Sequence, residues 1–211
     1  MNNLFPHWPD YPVLSSDNLR DARLYANRSD LIASLPIPKN GKIAEIGVWR
    51  ANFSKTLVNT LQPSQFFAFD VFTGHHYNEE NLWNGKTGKE LFDGLTHRQF
   101  YEREMSAFGS AVQIVEGSSQ QTLLGHTDGS FDLVYVDGDH TYEAVRTDAE
   151  LSAKMVSASG FLVFNDYILL DESHGPYSVV PVVNDLVVNR GWSIVGYALD
   201  HHLYCDVALQ R

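Results

Sequence analysis

The stretch Lys42-Ile43-Ala44-Glu45-Ile46-Gly47-Val48 limits what this chain can become more than any other. Ile43, Ile46 and Val48 are β-branched, the composition of a short buried strand. Asn52 or Ser54 can cap a helix directly afterwards, in which Phe53, Leu57, Val58 and Leu61 recur at helical spacing. Gly47 lies between the two, where the backbone must turn and where a missing Cβ lets a ligand come close. Glu45 sets a carboxylate at the carboxyl end of the strand, the end at which open α/β sheets bind ligands. About twenty residues further on, Gln65-Phe66-Phe67-Ala68-Phe69-Asp70 is a second apolar strand ending in an acid, and an acid at this place hydrogen-bonds ribose hydroxyls. No second glycine follows Gly47, and Ala51 stands where one would serve a pyrophosphate. The two strands point to a nucleoside ligand without phosphates, ahead of a nicotinamide dinucleotide.

The rest of the chain continues the alternation. Met1 to Ser16 has no period and reads as an extended arm. A helix is expected from Asp17 to Leu35, ended by Pro36 and Pro38. Val71 to Met105 offers no strand and one short helix near Thr96–Ala107. It leaves from the carboxyl end of the Asp70 strand, so it is expected to be a lid over a second ligand. Further strands fall at Ala111–Glu116, Phe131–Val136 and Phe161–Phe164, with helices at Tyr142–Ser157 and Tyr177–Asn189. Trp192–Leu199 and His202–Leu209 alternate as a closing pair. The expectation is one α/β domain, Rossmann-like: a mostly parallel seven-stranded sheet, helices on both faces and a C-terminal antiparallel hairpin.

Two further stretches narrow the class, Tyr135-Val136-Asp137-Gly138-Asp139-His140-Thr141-Tyr142 and Phe164-Asn165-Asp166-Tyr167. With the Glu45–Gly47 turn and Asp70, they resemble the class I S-adenosylmethionine-dependent methyltransferases from about Ile32 to Leu209. Within that class they look like the branch of macrocin- and mycinamicin-type metal-dependent sugar O-methyltransferases, itself similar to catechol O-methyltransferase. The resemblance implies S-adenosylmethionine as cofactor, bound by Glu45, Gly47, Asp70, Ser118, Ser119 and Asp137, with the two serines at the adenine edge. It also implies a divalent metal, Mg²⁺, on Asp137, Asn165 and Asp166. The sugar enzymes usually carry two acids where this chain has Asn165-Asp166, which removes one formal charge. Asp139 is expected to return to the metal side and act as base, while His140 orients an acid, contacts the cofactor or caps the next helix. His75, His76, His174, His201 and His202 share no ligand spacing and are expected to face solvent.

The function expected is methyl transfer to a hydroxyl of a small-molecule acceptor, a sugar or vicinal diol. Two other readings stand beside it, a non-catalytic S-adenosylmethionine-binding module and a nicotinamide-dependent oxidoreductase. A formal net charge of −11 over 211 residues argues against a nucleic-acid partner. No apolar run approaches membrane-spanning length and no signal pattern opens the chain, so no membrane and a cytoplasmic location are expected. Cys205 is the single cysteine, which excludes an internal disulfide and a thiolate metal site. The N-terminal arm is long enough to reach a second copy in a homo-oligomer.

Overall fold

The computed structural model describes residues 9–126, 129–168, 170–171, 175–199 and 205–211. Its expected helix over 17–35 is three pieces: a 3₁₀ turn at Ser16–Leu19, strand β1 (Arg23–Tyr25) and helix α1 (Arg28–Ser34). The break follows from Asn27, whose side chain accepts the Asp30 amide and so starts a new helix. Then come β2 (Lys42–Ile46), α2 (Asn52–Leu61) and β3 (Gln65–Asp70). Helix α2 begins without a side-chain cap, because its N-cap is Ala51, at φ 63° with no polar side chain; Ser54 lies inside the helix and spends its hydroxyl on Glu45.

The excursion after β3 holds α3 (Gly88–Leu91) and α4 (His97–Met105). Each opens with a capping box, Thr87 with Glu90 and Thr96 with Gln99. The second helix falls where its sequence signal placed it. Strands β4 (Val112–Glu116) and β5 (Phe131–Val136) enclose the one-turn helix α5 (Ser119–Thr122). Next are α6 (Tyr142–Met155), β6 (Val156–Phe164), a two-residue ribbon β7 (Leu170–Asp171) and β8 (Gly175–Pro176), α7 (Val179–Asn189), β9 (Ser193–Leu199) and β10 (Cys205–Gln210).

The main sheet has eight strands in the order β1-β9-β10-β6-β5-β2-β3-β4. The eighth is β1, hidden in the expected helix; it pairs parallel with β9 at the sheet edge. β10 is antiparallel to both β6 and β9, the closing hairpin that was expected. One face packs Ala44, Ile46, Val134, Val136 and Phe164 with Val145, Ala149, Val183 and Leu186 of α6 and α7. The other packs Ile43, Leu133, Tyr135 and Val163 with Ile32, Phe53, Leu57 and Tyr101 of α1, α2 and α4. Burial on both faces makes these strands near-continuous apolar runs. None of the described helices is long and apolar enough to cross a membrane.

The chain runs outward from β2 through β3 to β4, then jumps back to lay β5 on the other side of β2. That reversal opens a crevice at the carboxyl ends of β2 and β5. Gly47 sits on its floor at φ 82°, and a Cβ there would lie 2.0 Å from the Asp137 carbonyl oxygen. The close approach that the sequence reserved for a ligand is made by the chain's own backbone. Gly47→Ala should therefore cost about 3 kcal/mol in urea unfolding, adding left-handed strain to overpacking. Gly85→Ala, at φ 75° with nothing within 4 Å of the new methyl, should cost only about 1 kcal/mol.

Candidate active site

Backbone pairing continues one residue past the strand ends, so the turn residues stand level. Gly47 N donates to Phe69 O at 2.8 Å, Asp137 N to Ile46 O at 2.7 Å, and Asn165 N to Val136 O at 2.9 Å. Beyond β3, Gly117 N donates to Asp70 O at 2.9 Å. Asp70 is half-buried at this lip. Its Oδ2 accepts the Val48 amide at 2.9 Å and its Oδ1 the Phe72 amide at 2.6 Å. A carboxylate offers about four acceptor positions, so each oxygen keeps one for a ligand hydroxyl. Ser118 and Ser119 are half-buried at the neighbouring lip. The Ser118 hydroxyl makes no cap bond to α5, and the Ser119 hydroxyl supports the charged form of Asp148.

Asp137, His140 and Asp166 present ligand atoms that all lie within 4.8 Å of one another. His140 Nε2 is 3.8 Å from Asp137 Oδ1 and 3.8 Å from Asp166 Oδ2. Its ring stacks on Tyr177 at 4.1 Å, and its carbonyl accepts the Ser178 amide at 3.0 Å. Burial lowers the imidazole to about 4, against a smaller upward pull from Asp139, so the ring is neutral at pH 7. Burial, then Asp166, pushes the Asp137 carboxyl well above its ordinary range.

One expectation is corrected here. Asp139 does not return to the acids: it is exposed, and its Oδ1 accepts the Thr141 amide at 2.7 Å as α6 begins. Gly138 frees the backbone from strand alternation, and the capping bond decides the direction. His140 takes the inward place instead. Asn165 commits its amide nitrogen to Asp206 Oδ1 at 3.0 Å, while Asp166 swings beside Asp137 through a left-handed turn at φ 53°.

Asp206 is a residue the sequence reading missed. It is 2 % exposed on β10 and accepts the Tyr135 hydroxyl at 2.6 Å besides the Asn165 amide. The signal was present, a lone acid inside Cys205–Leu209, because a charge is buried in a strand only with partners. The cation is Arg28 of α1, seated 4.2 Å from the Phe53 ring centroid with Nη1 3.5 Å from the Tyr135 hydroxyl.

Glu45 also departs from expectation. Alternation along β2 turns it toward α2, where it is 1 % exposed and accepts the Ser54 hydroxyl. It does not line the open crevice. The excursion, by contrast, is bound to the β2 turn. His97 is 2 % exposed; its Nε2–H donates to the Trp49 carbonyl at 2.6 Å and its Nδ1 accepts the Gly74 amide at 3.4 Å. That pairing fixes one neutral tautomer, and burial holds its pKa below the ordinary value. Trp49 packs edge to face with Tyr77 and Phe92 and at a tilt with Trp83. His76 is exposed and His75 half-buried, its Nδ1 bonded to the Phe72 carbonyl; His174, His201 and His202 lie outside the described residues.

A parallel sheet with a switch-point crevice, a ribose-competent acid and no phosphate loop defines an α/β nucleoside-binding enzyme class. Residues 44–167 match the family described as methyltransferase domain. The chain belongs to this family, and the domain is that of an S-adenosylmethionine-dependent methyltransferase. An O-methyltransferase family protein from Burkholderia thailandensis shares the fold at TM-score 0.59 and 14 % identity, over 87 % of this chain and 55 % of that one. Precorrin-6y C5,15-methyltransferase from Geobacter metallireducens superposes at 0.56 and 14 % identity, over 86 % and 85 %. Ribosomal protein L11 methylase from Lactobacillus delbrueckii does so at 0.56 and 14 %, over 87 % and 76 %. A protein of Acanthamoeba polyphaga mimivirus, R132, is 34 % identical over 85 residues, which are 38 % of this chain and 37 % of its own length.

The sealed Glu45 gives a stability test. Burial raises its carboxyl from the ordinary 4.5 to about 8, partly opposed by Ser54 and Arg28. A raised acid favours the folded state below its unfolded pKa, and that contribution is lost as pH climbs through the folded pKa. Wild-type protein should lose about 2 kcal/mol of unfolding free energy between pH 6 and pH 8 from this group. Subtracting the profile of Glu45→Gln in parallel urea titrations should isolate that slope.

Proposed function

We propose that the protein moves a methyl group from S-adenosylmethionine to a hydroxyl oxygen of a small molecule, a sugar or vicinal diol. The observation that carries the reading is the meeting of Asp137, His140 and Asp166 beside the Asp70 lip of the switch-point crevice. The cofactor supplies an electrophilic methyl on a sulfonium, whose leaving group is neutral. The chain has to align the acceptor and remove its proton. Asp70 keeps acceptor positions for ribose hydroxyls, and Ser118 and Ser119 border the adenine side. His140 receives the acceptor's proton, because among the described residues its Nε2 faces both acids and its position, unlike that of Asp139, is inward.

Asp137, Asp166 and the Asn165 amide oxygen, which its bond through Nδ2 to Asp206 leaves open, would hold a divalent cation such as Mg²⁺, which would acidify a nearby hydroxyl. The excursion over 71–105 serves as acceptor lid. Thr73, His76, Tyr77 and Asn81 line a cleft of about 280 Å³ on it. Trp83, 37 % exposed beside Trp49, offers a ring face to the apolar side of a sugar.

Three measurements test this. In calorimetry, S-adenosylhomocysteine should bind and NAD should not, and Asp70→Ala should weaken binding roughly a hundredfold; unchanged affinity would place the cofactor elsewhere. With a panel of sugars and diols, His140→Gln should cut donor turnover by roughly 10² to 10⁴, the usual worth of a general base, while Asp139→Asn stays near wild type. The reverse ranking would return the base to Asp139. Turnover should vanish in EDTA and recover with Mg²⁺ or Mn²⁺, except in Asp166→Ala; full turnover in chelator would remove the metal from the reaction.

A further inference from the structure

Two turns at the crevice lip are held in a backbone conformation that their residues resist. Trp49, after β2, lies at φ 39°, and Phe72, after β3, at φ 51°. Bulky aromatic residues seldom take left-handed angles, and they keep them only where neighbouring groups over-determine the turn. Two side chains do so here, and both span the same pair of turns. Asp70 accepts the Val48 amide from one and the Phe72 amide from the other. His97, the first residue of α4, donates through Nε2–H to the Trp49 carbonyl at 2.6 Å and accepts the Gly74 amide on Nδ1 at 3.4 Å. Asp70 stands half-buried at the open lip. His97 is sealed, with its ring centroid 5.0 Å from that of Phe72 and 4.5 Å from that of Phe92.

Trp49 extends the connection into the excursion. His97 holds its carbonyl, and its ring lies at the middle of an aromatic group, with centroids 6.2 Å from Tyr77, 5.2 Å from Trp83 and 5.3 Å from Phe92. Gly74 stands against the same ring, since a Cβ there would lie 2.8 Å from Trp49 and 2.8 Å from Phe92. Without the two His97 bonds, Asp70 would keep both of its amides, but the Trp49 carbonyl and the Gly74 amide would no longer be tied together. We propose that His97 is a positioning residue that couples the two ligand sites, so that a nucleoside held by Asp70 orders the aromatic group of the excursion for the acceptor. The proposal rests on the reading of Asp70 as the cofactor acid and of residues 71–105 as the acceptor lid. Sealed from the crevice, His97 touches neither ligand and acts through Trp49 and Gly74. A ligand that stiffens the lip bears an ordering entropy that the next ligand is then spared, so donor and acceptor favour each other's binding. The loaded protein thereby captures acceptor in preference to the empty one.

Amide hydrogen exchange of residues 71–105, followed by mass spectrometry with and without S-adenosylhomocysteine, tests the coupling. In wild-type protein the ligand should slow exchange over residues 74–77 and 83–91 about tenfold. His97→Phe keeps a ring among Trp49, Phe72 and Phe92 and removes both hydrogen bonds. By calorimetry it should bind S-adenosylhomocysteine within about threefold of wild type, since Asp70 is intact, yet lose the ligand-dependent protection of the lid. His97→Gln, whose amide can still donate to the Trp49 carbonyl, should restore part of that protection, and it carries the comparison if the Phe variant does not fold. A general loosening would raise exchange with and without ligand alike, so the difference between the two states isolates the coupling. Full lid protection in both variants would overturn the proposal. So would S-adenosylhomocysteine binding to wild-type protein with no change in lid exchange. Absence of any binding to wild-type protein would bring down the cofactor reading itself.

Discussion

Everything at the carboxyl edge of this sheet depends on one contact, the backbone of Gly47 pressed against the backbone of Asp137. Strands β2 and β5 are neighbours in the sheet and far apart in sequence, so their ends need not have met in any given register. The missing Cβ lets the two turns close to van der Waals distance and locks that register. Asp137 is then level with Asn165 and, through β10, with Asp206. Such a row of polar side chains at a strand end is the usual place for chemistry in an open α/β sheet. Here it is produced by packing before any ligand arrives.

The row carries an electrostatic problem that the rest of the site solves. Glu45, Asp137, Asp166 and Asp206 crowd one end of the sheet with little access to water. Each answer is different. Glu45 and Asp137 are driven toward their neutral forms by burial. Asp206 gathers a phenol and an amide. Arg28 supplies a single diffuse positive charge to the group. A cationic sulfonium donor, or a divalent ion, would relieve the same crowding.

The strands, the crossover at β2 and the acid at the end of β3 were legible in the sequence, because buried parallel strands write themselves as apolar runs ended by turn residues. The loop chemistry was less so. Asp139 and His140 exchanged places because one glycine released the chain from the period of two, and a local capping bond outranked alternation. Asn165 was read as a ligand from its place beside Asp166, but its bond to Asp206, a pairing across forty residues that orients its amide, is one that no local pattern records. Strand β1 was lost inside a plausible helix, since three residues at a sheet edge carry too little periodicity to be seen. Arg28 and Asp206 remained silent for the same reason: their meaning lies in partners distant along the chain.

That edge strand has a consequence in time. β1 belongs to the first eighth of the chain, yet its partner β9 belongs to the last tenth. While the protein is being synthesised, residues 23–25 have nothing to pair with until almost all of the chain has emerged. The central strands β2 to β6 can associate earlier, each with a neighbour already made. Helix α1 follows directly on β1, so the guanidinium of Arg28 settles against Phe53 and Tyr135 as the sheet's far edge closes. Long-range pairing of this kind is the slow part of assembly. The seating of Arg28 is thus a late event, and its arrival reports that the sheet, hairpin included, has been built.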